Sequence, residues 1–145
     1  MAKDGIKAFD TTVHETNLIL NDIGDEMGDP RTSIAYHALR GVLFALRDRL
    51  PMSEAVQFAA QLPMLVRGIF FEGYRPTGKP DKFDKDTFLA RVSEELKMGG
   101  GANAADAARA VFAVLQRRVD RGEIDDVRSA LPADIRKLWP ERISV

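Results

Sequence analysis

The sequence predicts an all-α fold made of two fused helical repeats sharing one core. Apolar residues recur at helical spacing along most of the chain, and no convincing period-two alternation marks a strand. Two stretches also share one layout: LRGVLFALRDRLPMSEAVQFAAQLPMLVRGIF, Leu39 to Phe70, and ARAVFAVLQRRVDRGEIDDVRSALPADIRKLW, Ala108 to Trp139. Each unit reads as a helix, a long helix, and two short helices broken at Leu-Pro.

The first helix is expected over Ile6 to Asn21, with Phe9, Val13, Thr16 and Leu20 near its buried side. The polar, glycine-containing NDIGDEMGDP should end it. Asp29 can cap the long second helix, with Pro30 at its first position, where the missing N–H costs nothing. Its core stripe is Ala35, Leu39, Val42, Leu46 and Leu50, and Pro51 stops it. Ser53 caps a short third helix from Glu54 to about Gln61. The residue before a proline is pushed out of the helical region, so the chain breaks at Leu62 and a fourth helix runs from Pro63 to Phe71. The glycines and prolines of EGYRPTGKPDKFDK mark the joint, residues 72–83.

The second half begins near Asp84 or Lys85, with a helix to about Met98 that Gly99-Gly100-Gly101 breaks. Asn103 caps a long helix that continues to about Asp120, with Asp106 three residues on. Gly122 to Ala130 is short and helical, Leu131-Pro132 repeats the break, and Pro132 to Trp139 closes the domain. Repeat one spans about 6–71 and repeat two about 84–139, in a single domain.

A shift of 69 brings the stretches into register without a gap: Arg40 meets Arg109, Val42 meets Val111, Leu46 meets Leu115, and Arg49 meets Arg118. Glu54 meets Glu123, Leu62-Pro63 meets Leu131-Pro132, and Arg67 meets Arg136. Those are eight identities over positions 40 to 70, where ordinary composition gives roughly two. One unit has too few apolar residues to bury its own face. Two units packed face to face about a pseudo-two-fold axis would close a core. Glu54, Glu123, Arg67 and Arg136 are expected to make ion pairs and helix-end contacts.

The motif from Leu39 through Pro76 resembles the signature of the bacterial family called domain of unknown function 2267. GEIDDVRSALPADIRKLWP is similar to its closing motif. The resemblance covers about Ile6 to Pro140. It implies a small helical bacterial protein and assigns no activity, cofactor or catalytic residue.

Composition narrows the functional classes. There is no cysteine, which excludes a disulfide framework, a thiolate zinc site and a cysteine nucleophile. The net charge of -1 argues against bulk attraction to nucleic acid or anionic lipid. The N-terminus has no apolar signal region and no segment is apolar enough to span a membrane. The expectation is a soluble cytoplasmic protein with no cofactor, no metal and no catalytic residue. The acidic groups Asp22, Asp25, Glu26, Asp29 and Asp81, Asp84, Asp86 lack calcium-loop spacing and read as caps and solvated charges.

Two places could carry function. His37, Arg40, Phe44, Arg47 and Asp48 lie roughly opposite the core stripe of the second helix. Either that helix is buried on both sides, with Arg40 paired to a carboxylate such as Glu54, or the set forms a groove for an anion or for acid–base chemistry. The joint, with Tyr74 and Arg75 after Phe70-Phe71, could form a partner surface. Alternatively Phe70 and Phe71 are core, as Trp139 would be, and Tyr74 tethers the joint. The leading expectation is a non-catalytic protein-interaction or adaptor module, including self-association. The second is a small-anion binder or enzyme using His37, Arg40 and Asp48.

Overall fold

The structure, a computed structural model, describes residues 5–141. Among the described residues the chain forms eight helices and no strand. They are α1 (Lys7–Met27), α2 (Thr32–Arg49), α3 (Met52–Ala59), α4 (Met64–Phe71), α5 (Lys85–Lys97), α6 (Ala104–Arg118), α7 (Arg121–Ala130) and α8 (Ala133–Arg136).

Helix α1 runs six residues beyond the expected Asn21. Ile19 and Ile23 are both buried, so the inward stripe continues through the polar stretch. The helix ends at Gly28, whose φ of 65° is left-handed and suits glycine. The buried face is also rotated from expectation. Thr12, Thr16, Ile19 and Ile23 face the core, while Phe9 and Val13 are 59% and 48% exposed. Thr12 is inward because its hydroxyl has a job: its Oγ1 accepts from the Leu65 backbone N–H at 2.8 Å, satisfying a donor in the first turn of α4. Thr16 in turn donates to the Thr12 carbonyl at 2.7 Å.

Helix α2 buries its expected stripe completely, from Ala35 to Leu50. It starts at Thr32 rather than Pro30, because the Asp29 carboxylate takes the Arg31 backbone N–H and guanidinium instead of capping the helix. Pro51 and Pro63 precede α3 and α4 in extended conformation, and Ser53 is exposed and makes no cap bond. Asp84, Asn103 and Asp120 do cap α5, α6 and α7 through their side chains. Helix α8 is four residues long, not the eight expected of Pro132 to Trp139. The next residues tighten into three-residue turns, Leu138 N–H to Ile135 and Trp139 N–H to Arg136, before Pro140.

The buried residues form one cluster that draws on both halves. Helix α2 packs on α5 and α1 packs on α6, so the first helix of each half covers the long helix of the other. Helices α3 and α7 meet each other. Phe112 stacks on Trp139 at 4.1 Å between centroids, and Phe70 packs on Phe58 at 5.7 Å. Phe70 and Trp139 are therefore core, and Phe71 packs against it partly buried.

The same hydrogen bonds occur at each Leu-Pro break. Arg67 donates Nε to the Ala59 carbonyl and NH2 to that of Leu62, at 3.1 and 3.0 Å. Arg136 donates to Arg128 and Leu131 at 2.9 and 2.7 Å. Every residue in the second set lies 69 after its partner in the first. In each half an arginine two turns on ties down one carbonyl in the last turn of the preceding helix and that of the leucine before the proline, which the helix itself leaves unpaired.

Candidate functional site

The outer face of α2 gathers most of the singled-out residues, and the chain itself occupies it. His37 Nδ1 lies 2.5 Å from Glu95 Oε2, and Arg40 Nε lies 3.4 Å from the same carboxylate. Arg40 also holds Glu72 of the joint at 2.5 Å. The expected Arg40–Glu54 pair does not form, because Glu54 sits on α3 against α7. The Arg40 and Arg47 guanidiniums both lie over the Phe44 ring, at 4.7 and 4.3 Å from its centroid.

Arg47 is only 7% exposed. It donates to the Phe70 carbonyl at 2.9 Å and to the Glu72 carbonyl. Burial pushes its guanidinium pKa down, and Asp48 opposes that shift. Asp48 faces Lys79 and Arg91 at 3.4 and 3.5 Å, and its backbone carbonyl accepts the Asp81 N–H at 2.7 Å. Tyr74 packs against Phe71, with the Arg47 and Lys79 cations near its ring, so it tethers the joint. Arg75 is exposed on that joint. His37 and Asp48 stand roughly 16 Å apart along the helix at its rise of about 1.5 Å per residue, and do not converge on one point.

Beside Arg40 the surface turns apolar. A groove of about 490 Å³ runs between the start of α1 and α4, with Tyr36, Ile69 and Glu72 at its margins. Its walls carry Phe9, Met64 and Leu65, which are 59%, 47% and 42% exposed. Ile6, the residue that precedes α1, and Val13 on it are 57% and 48% exposed. The sequence reading placed Phe9 and Val13 inside, so it missed this groove.

A second feature lies where α3 meets α7. Carboxylate oxygens of Glu54, Glu123 and Asp126 lie within 4.8 Å of one another. Burial of Glu123, with a hydrogen bond to Glu54 and the negative charge of Glu54, Asp126 and Asp120, raises its pKa to about 8. Three carboxylates are suited to a hard divalent cation. One proton shared by Glu54 and Glu123 satisfies the buried pair equally well. The matched glutamates were visible in the sequence, but they were expected to form ion pairs, and here they face each other. Of the acidic residues expected as caps and solvated charges, Asp22 and Glu26 instead pair across from α1 to Arg118 and Arg117 of α6, each at 2.7 Å, while Asp84 caps α5.

The family profile described as an uncharacterized conserved protein (DUF2267) matches residues 16–138. The chain belongs to this family. In this DUF2267 protein the match takes in the core, the joint and both Leu-Pro breaks, and it begins after Ile6, Phe9 and Val13. One wall of the apolar groove thus lies outside the matched region and the other, with Met64 and Leu65, inside it. The comparison with curated proteins finds no match. Among the described residues no helix is long and apolar enough to cross a membrane.

Proposed function

We propose that this DUF2267 protein is a non-catalytic protein-interaction or adaptor module of the bacterial cytoplasm, and that the groove between α1 and α4 receives the apolar face of a partner's amphipathic helix. The observation that carries the reading is the exposure of Phe9, Met64 and Leu65 around one groove. A two-walled apolar trough with Arg40 and Glu72 at one margin fits helix-in-groove recognition, where apolar anchors enter and charges set the register. The anion-site or enzyme reading at His37, Arg40 and Asp48 has less support, since each of these already has a partner within the same chain, in Glu95, Glu72 and Lys79.

Affinity capture from the source lysate tests the groove, using the natural chain beside a Phe9→Asp plus Leu65→Asp variant. Both positions are exposed, so the variant should keep its helical circular dichroism and its melting temperature. A stoichiometric partner lost in the variant is the expected result. Capture of a second copy of the chain would make the groove a self-association surface. A partner kept by the variant would sink the assignment.

We further infer that the two halves are copies of one unit related by a pseudo-two-fold axis passing near Glu54 and Glu123. The recurrence of the Arg67 and Arg136 bonds 69 residues apart supports it, as does the reciprocal packing of α1 on α6 and α5 on α2.

A further inference from the structure

Glu54 and Glu123 each stand three residues after a helix N-cap, Pro51 and Asp120. A glutamate at that place ordinarily turns back to accept the N–H of the cap residue. Here that N–H is not free. Pro51 has none, and the Asp120 N–H donates to Gln61 Oε1 at 2.8 Å. The two side chains instead point toward each other where α3 meets α7. Glu123 is 8% exposed. Oε2 of Glu54 and Oε2 of Glu123 are both shut off from water, and no N–H of the described residues donates to either. A buried carboxylate oxygen without a donor is costly.

Among the described residues no lysine, arginine or histidine pairs with Glu54, Glu123 or Asp126. Elsewhere between helices the chain answers its acids: His37 and Arg40 face Glu95, and Lys79 and Arg91 face Asp48. Because water does not reach the two Oε2 atoms, what balances them must sit between the side chains themselves. A proton shared by the two glutamates accounts for the buried pair. It leaves Asp126 unexplained. An exposed carboxylate with an oxygen within 4.8 Å of the other two adds a repulsion that one proton does not remove. Asp126 lies one turn after Glu123 on the same side of α7. Gln57 lies one turn after Glu54 on α3, at the matched position 69 residues before Asp126. Each helix thus presents a glutamate and a second oxygen-bearing side chain.

We infer that Glu54, Glu123 and Asp126 form a binding site for one hard divalent cation, with the Gln57 amide carbonyl as a further oxygen donor. The donors are all oxygen, with no imidazole or thiolate among them, which suits Ca²⁺, Mg²⁺ or Mn²⁺ better than zinc. The cation offsets two of the three negative charges, and the shared proton leaves to solvent as it enters. Asp126 is exposed, so the ion has a way in and keeps water on that side. The site joins α3 of the first half to α7 of the second, and a bound cation ties the halves together. It uses no residue of the groove between α1 and α4, and it does not rest on the interaction reading.

The test is thermal melting of the full chain, stripped with chelator, against Ca²⁺, Mg²⁺ and Mn²⁺ added singly. Calorimetric titration then follows the ion that shifts the melt most. A saturable rise in melting temperature and one ion per chain are expected. Glu123→Gln should abolish the response, and Asp126→Asn should raise the Kd by about tenfold or more. Asp126 is exposed, so its variant is readable even where Glu123→Gln perturbs folding. Glu94→Gln, an exposed change on α5, should leave the response as it is. No saturable shift with any of the three ions up to about 10 mM, past the range of weak calcium sites, would overturn the site and leave the glutamates to their shared proton. Equal affinity in the Asp126→Asn variant would also overturn it, by placing the ion elsewhere.

Discussion

Burial, together with Glu54, Asp126 and Asp120, raises the Glu123 carboxyl pKa to about 8, and this has a consequence for stability. The folded value lies above the ordinary 4.5, so the folded chain holds a proton that the unfolded chain releases at lower pH. The resulting stabilisation is fully present below the unfolded value and is lost as pH rises through the folded one. The urea midpoint should therefore fall between about pH 5 and pH 9. Glu123→Gln, whose amide can donate to Glu54 at any pH, should flatten that dependence. A wild-type midpoint that stays level across the same range would rule out the shared proton. The pairing of Glu54 with Glu123 was legible as a matched position. Their meeting was not, because spacing along a chain does not say which helices cross.

Among the helices, two glycines in similar settings should respond oppositely to substitution. Gly41 lies where α2 crosses α5, and a Cβ there would sit 3.0 Å from Glu95 Cβ and 3.3 Å from Val92 Cα. Gly68 in α4 has no such neighbour within 4 Å. Gly68→Ala should raise stability by up to about 1 kcal/mol through helix propensity alone. Gly41→Val should lower it by about 1–3 kcal/mol, because the added methyls must push α5 away. Chemical denaturation of the two variants decides this, and a Gly41→Val chain as stable as wild type would show that the crossing yields easily. The positions of the helices were readable from proline, glycine and capping residues, and the stripe of α2 from its period. The extent of α1 was not: Ile23 continues its buried face through a polar stretch, and Thr12 is drawn inward by the Leu65 N–H.

At the level of the whole molecule, each half lacks what the other provides. Without α5 and α6, the Val42 and Ile19 faces of α2 and α1 lose their cover, since α2 packs on α5 and α1 on α6. Residues 1–72 and 83–145 expressed separately should each show weak helical signal and no cooperative melt, and mixing them should restore both. Two fragments that melt cooperatively alone would contradict a core dependent on both halves. The sequence by itself determined the helical class, the breaks at Leu-Pro, the family and the arginines at the helix ends, because these follow from local backbone chemistry and from residues repeated at fixed spacing. Only the tertiary structure decided which faces remain outside. Phe9 is exposed because Thr12, whose hydroxyl accepts from the Leu65 N–H, takes the inward position. Burial is a property of what packs against a residue, and contacts between helices distant in sequence set it.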